Sequence, residues 1–398
     1  MKSMSRRKFV GNLSALSTAI GLNSSVTSAQ NKPIIEPSKP PFNRPVKVAI
    51  IGCGVVMNCC YTPNLQASKF AEIVSVCDIK PERAKEAAKK FNIPNWYPNL
   101  EKMLAGPPFD LLVNLTDMQE HERLNKQALE AKRYVWSEKP MANSFQAGKN
   151  LLDIAIAQGV FIWGAPAVVQ SPAFEFMAQQ IQQKKLGRVA AANAHYGHQG
   201  PSWSAFFYEQ GGGSLPDLGV YNIASLTGIL GPVKSVVAMT NIITPTRKVD
   251  DKGFIQVRAE DNAQLILEHD QENVLSHIQC GFNYFDPYGH EGKGQSNPTI
   301  SIVGSSGSMH LIGYDWHPVR VEISTQEQEK QAPFEYPENL FQWQMGASVI
   351  CEYLSTGKKT RIHPEHALHV LEIIEAARKS QESGQRIYLQ SAFNWPMV

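Results

Sequence analysis

Apolar residues run along this chain in two rhythms, and the change near residue 165 divides it. In the first stretch, short apolar runs alternate with segments of helical period. Residues 46–51 are almost continuously apolar and stop at glycine, which reads as a buried strand. Residues 73–77, 111–115 and 134–136 repeat that pattern, while 81–91, 124–131 and 145–158 space their apolar residues as helices do. Strands alternating with helices predict an α/β domain over 46–165, a Rossmann doubly wound parallel sheet.

Beyond it, a helix over 172–185 is followed by strand-like segments at 189–196, 233–239, 263–268, 274–280, 299–303 and 308–311. So many strands with so few helices predict an α+β domain over 166–398, built on a large, mostly antiparallel open sheet. A helix over 365–379, bearing Leu368, Val370, Leu371 and Ile374, is expected to pack back on either domain.

The N-terminus follows neither rhythm. Residues 30–45 hold five prolines and read as an extended arm. Ahead of them, Arg6-Arg7 precedes a short apolar stretch that carries Ser and Thr, and Thr27-Ser28-Ala29 follows. Residues 1–29 therefore read as a twin-arginine signal peptide, which implies export of a folded protein to the periplasm.

Composition narrows the function class. The chain has 398 residues, 43% hydrophobic and 19% charged, enough for two globular domains, and it has no run long and apolar enough to span a membrane. Of 38 Lys and Arg, four lie in the leader, which has no acid, so the remainder balances 34 basic against 36 acidic residues. Such a balance gives no support for nucleic-acid binding. Six cysteines are too sparse for a disulfide scaffold; Cys53 and Cys77 are expected in strands as small buried hydrophobes, and the adjacent pair Cys59-Cys60 is not expected to bridge to itself.

Gly52-Cys53-Gly54 follows the first strand, where glycines let a backbone approach a pyrophosphate at a helix N-terminus. Gly52, Cys53, Gly54 and Val55 are the expected cradle, although Met57 replaces the third small residue of the fingerprint. Asp78, ending the second strand, is placed to accept from a ribose hydroxyl and to repel a ribose phosphate. That favours NAD, with NADP possible.

Four segments carry a family resemblance: Gly52-Cys53-Gly54, the stretch 110–116 followed by His121, Glu138-Lys139-Pro140, and the stretch 211–221. Together they resemble the glucose-fructose oxidoreductase, inositol dehydrogenase and rhizopine-catabolism family, from residue 46 to about 389. The resemblance implies that Lys139 hydrogen-bonds a substrate hydroxyl near the nicotinamide, with Thr116, His121, Glu138 and Lys139 bordering the cofactor. The family's second catalytic segment usually ends in histidine; here Asp217-Leu218-Gly219-Val220-Tyr221 ends in tyrosine. Exported members resemble this chain in that tyrosine, in their signal, and in an arm covering a tightly held cofactor, though they use NADP.

The chemistry of the residues agrees. Oxidising a carbinol needs a base for the hydroxyl proton and a cation for the developing alkoxide. Lys139 supplies charge, Asp217 orients it or the sugar hydroxyls, and Tyr221 is expected to have its pKa lowered by the neighbouring ammonium. His195, His198 and Trp203 are candidates for a sugar pocket. His363, His366 and His369 are expected to be solvated and hold no metal, and 286–292 to be a loop reaching toward the cleft or a neighbouring subunit.

An exported dehydrogenase meets little free nicotinamide, so it is expected to keep its cofactor. The ranking that follows is oxidoreduction of a sugar or glycoside first, redox-neutral glycoside cleavage through transient oxidation second, and non-catalytic sugar binding third. A homo-oligomer joined through the second-domain sheet is also expected.

Overall fold

A computed structural model of the chain describes residues 40–285 and 297–398. The leader, arm residues 30–39 and the 286–292 loop lie outside the described residues.

Six strands, β1 (Val46–Ile51), β2 (Ala71–Cys77), β3 (Asn95–Tyr97), β4 (Leu111–Asn114), β5 (Tyr134–Ser137) and β6 (Ile162–Gly164), form one parallel sheet in the order β3-β2-β1-β4-β5-β6. Helices α1 (Thr62–Ala67), α2 (Pro81–Phe91), α3 (Leu100–Leu104), α4 (His121–Glu130) and α5 (Phe145–Gln158) connect them. This is the doubly wound order, and it reverses between β1 and β4, where such sheets open a crevice at their carboxyl ends. β4 is buried throughout and β1 at every residue but Lys47, which explains their continuous apolar runs.

The second domain adds α6 (Pro172–Gln182), β7 (Val189–Gly197), α7 (Val220–Leu230), β8 (Val233–Asn241), β9 (Thr246–Val249), β10 (Gly253–Gln256), β11 (Asn262–His269) and β12 (Leu275–Gly281). It continues with β13 (Pro298–Gly304), β14 (Gly307–Tyr314), β15 (His317–Thr325), β16 (Gln328–Phe334), α8 (Gly346–Thr356), α9 (Pro364–Ser383) and β17 (Ile387–Tyr388). Nine strands form a sheet in the order β16-β15-β14-β13-β7-β12-β11-β8-β17, antiparallel except for the pairing of β7 with β12. Every residue of α7 is buried, so its sequence is apolar all round rather than striped. Period-two alternation aims Ala192, Ala194 and Tyr196 of β7 at the core and leaves Asn193 and His195 exposed on the opposite face.

Helix α9 packs on both domains. Leu368 and Leu371 press on Gly148 of α5, Glu375 accepts from Phe145 N at 2.6 Å, and His369 Nε2 accepts from Val233 N at 2.9 Å. The described end of the arm docks far from the crevice. Phe42 N donates to Leu354 O, and Arg44 forms two hydrogen bonds, 2.7 and 3.0 Å, to Asp110, which precedes β4 at the amino end of the parallel sheet.

The expectation that the α9 histidines are solvated is corrected. His366 and His369 are buried; His366 Nε2 lies 2.8 Å from Thr227 Oγ1, and His369 Nδ1 lies 2.8 Å from Ser391 Oγ. Burial, aided by neighbouring histidines, lowers both pKa values to about 3, and burial lowers His269 to about 4. In the unfolded chain these rings take up protons near 6.5, so the stability they allow is complete above that pH and declines as pH falls toward 4. Each ring contributes up to about 1.4 kcal/mol per pH unit over that window. Thermal melts from pH 7 to 4.5 should show His369→Gln less stable than the unsubstituted protein at pH 7, with the gap narrowing on acidification. A pH-independent gap would contradict a neutral buried ring.

Candidate active site

The turn after β1 starts the site. Gly52 has φ +93°, and a Cβ there would meet Leu115 O at 2.5 Å, so only glycine lets the turn lie against the strand-β4 loop. Gly52 N donates to Cys77 O at 2.8 Å, and Cys53 N to Asp78 Oδ2 at 2.8 Å. Asp78 Oδ1 accepts from Lys80 N, so this buried carboxylate organises the turn while keeping lone pairs for a ribose. A Cβ on Gly54 would meet nothing within 4 Å, and Val55 beside it is 64% exposed. The next residues form a π-turn, Met57–Tyr61, before α1. Met57, where a small residue is usual, is wholly buried. Open space at a glycine turn opening a helix, with an acid at the end of β2, fits the pyrophosphate and ribose of a dinucleotide.

Strand β5 delivers Glu138 and Lys139 to the same crevice, and Glu138 N donates to Asn114 O at 2.9 Å. The Lys139–Pro140 peptide is cis. Lys139 Nζ donates to Asp217 Oδ1 at 2.6 Å and to Asp217 O at 3.0 Å, joining the parallel-sheet domain to the start of α7. Asp217 lies in a π-turn, Leu215–Gly219, one helical turn before Tyr221, so both face Lys139; its ammonium sits 5.4 Å from the Tyr221 ring centre. Burial opposes charge on Lys139, but the Asp217 and Glu138 carboxylates outweigh it and hold its pKa above the ordinary value.

Tyr221 departs from expectation. Burial raises its pKa, and the opposing pull of Lys139 does not overcome it, so the phenol stays protonated. Trp343 Nε1 donates to its oxygen at 3.2 Å, leaving the phenolic proton to point elsewhere. The side chain can therefore donate to an oxygen and return that proton, but it does not rest as phenolate. Four further residues escaped sequence reasoning. Tyr61 donates to Glu138 Oε1 (2.8 Å) and approaches Gln344 Oε1 (3.1 Å), and Trp136 Nε1 donates to Tyr61 (2.9 Å). Trp343 and Gln344 occupy an irregular stretch before α8, where no motif marks them.

The remaining expected residues divide. Thr116 donates to Asn114 Oδ1 at 2.7 Å beside the glycine turn. His121 is buried, with Nδ1 2.8 Å from Pro140 O and Nε2 2.9 Å from Thr116 O; it ties two loops together instead of facing a cofactor. His195 is excluded from the pocket by strand alternation, because it lies on the outer face of the sheet. His198 is buried on the site's side, 6.0 Å from the Tyr196 ring, with Nδ1 accepting from Gly200 N. Trp203 is 47% exposed and edge-on to Phe207.

Residues 46–165 match the model of an oxidoreductase family with an NAD-binding Rossmann fold, and residues 174–310 match the GFO/IDH/MocA C-terminal domain. The trans-1,2-dihydrobenzene-1,2-diol dehydrogenase of Mus musculus is 25% identical over 287 residues, 71% of this chain and 79% of that enzyme. Among solved structures, the aldose-aldose oxidoreductase of Caulobacter crescentus, complexed with glycerol, superimposes with a TM-score of 0.73 at 17% identity, covering 87% of this chain and 100% of that one. The WlbA dehydrogenase of Chromobacterium violaceum, with NADH and UDP-GlcNAcA, gives 0.70 at 20% identity over 88% and 98%. The chain belongs to the glucose-fructose oxidoreductase, inositol dehydrogenase and rhizopine-catabolism family of NAD-binding oxidoreductases.

Proposed function

We propose that the protein is an exported oxidoreductase that keeps NAD bound and oxidises or reduces a ring carbinol of a sugar or related cyclic polyol. The observation that carries this reading is the buried Lys139–Asp217 pair beside Tyr221, set where the glycine turn, Thr116 and Glu138 converge. When bound, NAD supplies the hydride acceptor or donor. Lys139 then offers positive charge to the carbinol oxygen as it becomes alkoxide-like; in reduction Tyr221 donates its phenolic proton to that oxygen, and in oxidation the hydroxyl proton passes to the phenolate which that donation leaves. Asp217 keeps the ammonium charged and aimed. The relatives' names support a common substrate element, since an aldose and a dihydrobenzenediol each carry vicinal hydroxyls on a ring or its open form. On the outer sheet face, Val237, Met239, Ile266, Leu275 and Val303 are each more than 40% exposed, which supports a homo-oligomer formed there.

Heating the purified protein should release NAD or NADH, identified by mass spectrometry. The unheated protein should change absorbance at about 340 nm with D-glucose, D-xylose or trans-1,2-dihydrobenzene-1,2-diol, the nicotinamide signal of this reaction class. NADP in the released fraction would contradict the role given to Asp78.

Lys139→Ala and Tyr221→Phe should each lower single-turnover cofactor reduction by about 10²–10⁴-fold with nucleotide retention unchanged. The double variant should fall little below the worse single one, because groups that act as a unit are not additive. Wild-type turnover in Tyr221→Phe would remove the phenol from the mechanism.

Export is tested by replacing Arg6 and Arg7 with lysine and fractionating cells. The protein should then stay in the cytoplasm; unchanged export would defeat the twin-arginine reading.

A further inference from the structure

We propose that Cys59 and Cys60 form a two-thiol chelate site for trivalent arsenicals that carry one other substituent. Their Sγ atoms lie 2.9 Å apart. That is closer than the ~3.5–4.0 Å at which even smaller carbon atoms rest in contact. The pair sits in the π-turn that follows the glycine turn, with Cys59 exposed and Cys60 half-buried, so a small reagent reaches it from solvent. The other four cysteines, Cys53, Cys77, Cys280 and Cys351, are buried.

Coordination number selects the ligand. Zinc wants four donors, and among the described residues no cluster of three or more His, Cys, Asp or Glu could hold a metal ion. A monosubstituted arsenic(III) needs only two thiols. A disulfide suits the pair poorly, because adjacent Cα atoms are about 3.8 Å apart, short of the ~4.4–6.8 Å usual for disulfides. Condensation with an arsenoxide needs no oxidant. Two As–S bonds form, two S–H bonds break, and the arsenic oxygen leaves as water carrying both protons. An adduct would stand one residue before Tyr61, whose hydroxyl holds Glu138, and so beside the catalytic crevice.

The test is titration of the reduced full chain with phenylarsine oxide, followed by intact mass and thiol counting. One phenylarsine should add per chain, two thiols should vanish, and 1,2-ethanedithiol should reverse the adduct where an equal concentration of 2-mercaptoethanol does not. Cys59→Ser and Cys60→Ser should each weaken binding by about 10²–10⁴-fold, the range gained by linking two binding groups. Three results would overturn the proposal: no adduct at equimolar reagent, an adduct of equal affinity in either variant, or peptide mapping that places arsenic on another cysteine.

Discussion

The buried ion pair between Lys139 and Asp217 is the constraint around which the rest of the site is arranged. Two charges removed from water cost several kcal/mol each unless paired in good geometry, so the loss of either leaves the other as an unpaired buried charge. The parallel sheet brings Lys139 to its carboxyl edge through β5; the second domain brings Asp217 there at the head of α7. That helix start is itself fixed from outside. Glu260 accepts from Leu215 N at 3.0 Å, Arg378 donates to Gly212 O at 2.8 Å, and a Cβ on Gly213 (φ +117°) would overlap the Glu260 carboxylate. Helix α9, which carries Arg378, packs on both domains and so holds the two halves of the pair in register.

Burial and charge then divide the labour at the crevice. Lys139 remains charged because the Asp217 and Glu138 carboxylates outweigh its desolvation, while Tyr221 remains neutral because one ammonium does not outweigh its own. A permanent cation beside a neutral phenol suits a carbonyl oxygen that gains a proton as it is reduced, the phenolate left behind taking the proton back in the reverse step. Around them, Trp343 fixes the phenol's acceptor role, and Tyr61, with Gln344 beside its hydroxyl, holds Glu138. The stretch before α8 thus reaches both the substrate side and the cofactor side.

The parallel sheet was legible because strands buried on both faces leave continuous apolar runs, and the glycine turn because Gly52 is demanded by a backbone approach. Lys139, Asp217 and Tyr221 were singled out through the family resemblance of the Glu138-Lys139-Pro140 and 217–221 segments, and the structure brings them together. What escaped depends on distant contacts. Trp343 and Gln344 lie about 120 and 280 residues from Tyr221 and Tyr61, and no local pattern records such a meeting. Strand β15 is largely half-exposed, so its alternation is weak, and β3 is three residues long. His195 was misplaced because a residue type was weighed without the period of its strand, and the α9 histidines because buried polar rings with backbone and hydroxyl partners look like solvated ones in sequence.

The central claim is that Lys139 and Tyr221 address one carbinol oxygen next to the nicotinamide. A crystal structure of the protein with NADH and a reactive aldose measures it directly. The account predicts nicotinamide C4 about 3–3.5 Å from the reacting carbon. It also predicts that carbon's oxygen within ~2.6–3.2 Å of both Lys139 Nζ and Tyr221 Oη. A sugar bound with its reacting oxygen held by other side chains, and the Lys139–Asp217 pair turned away from it, would contradict the account.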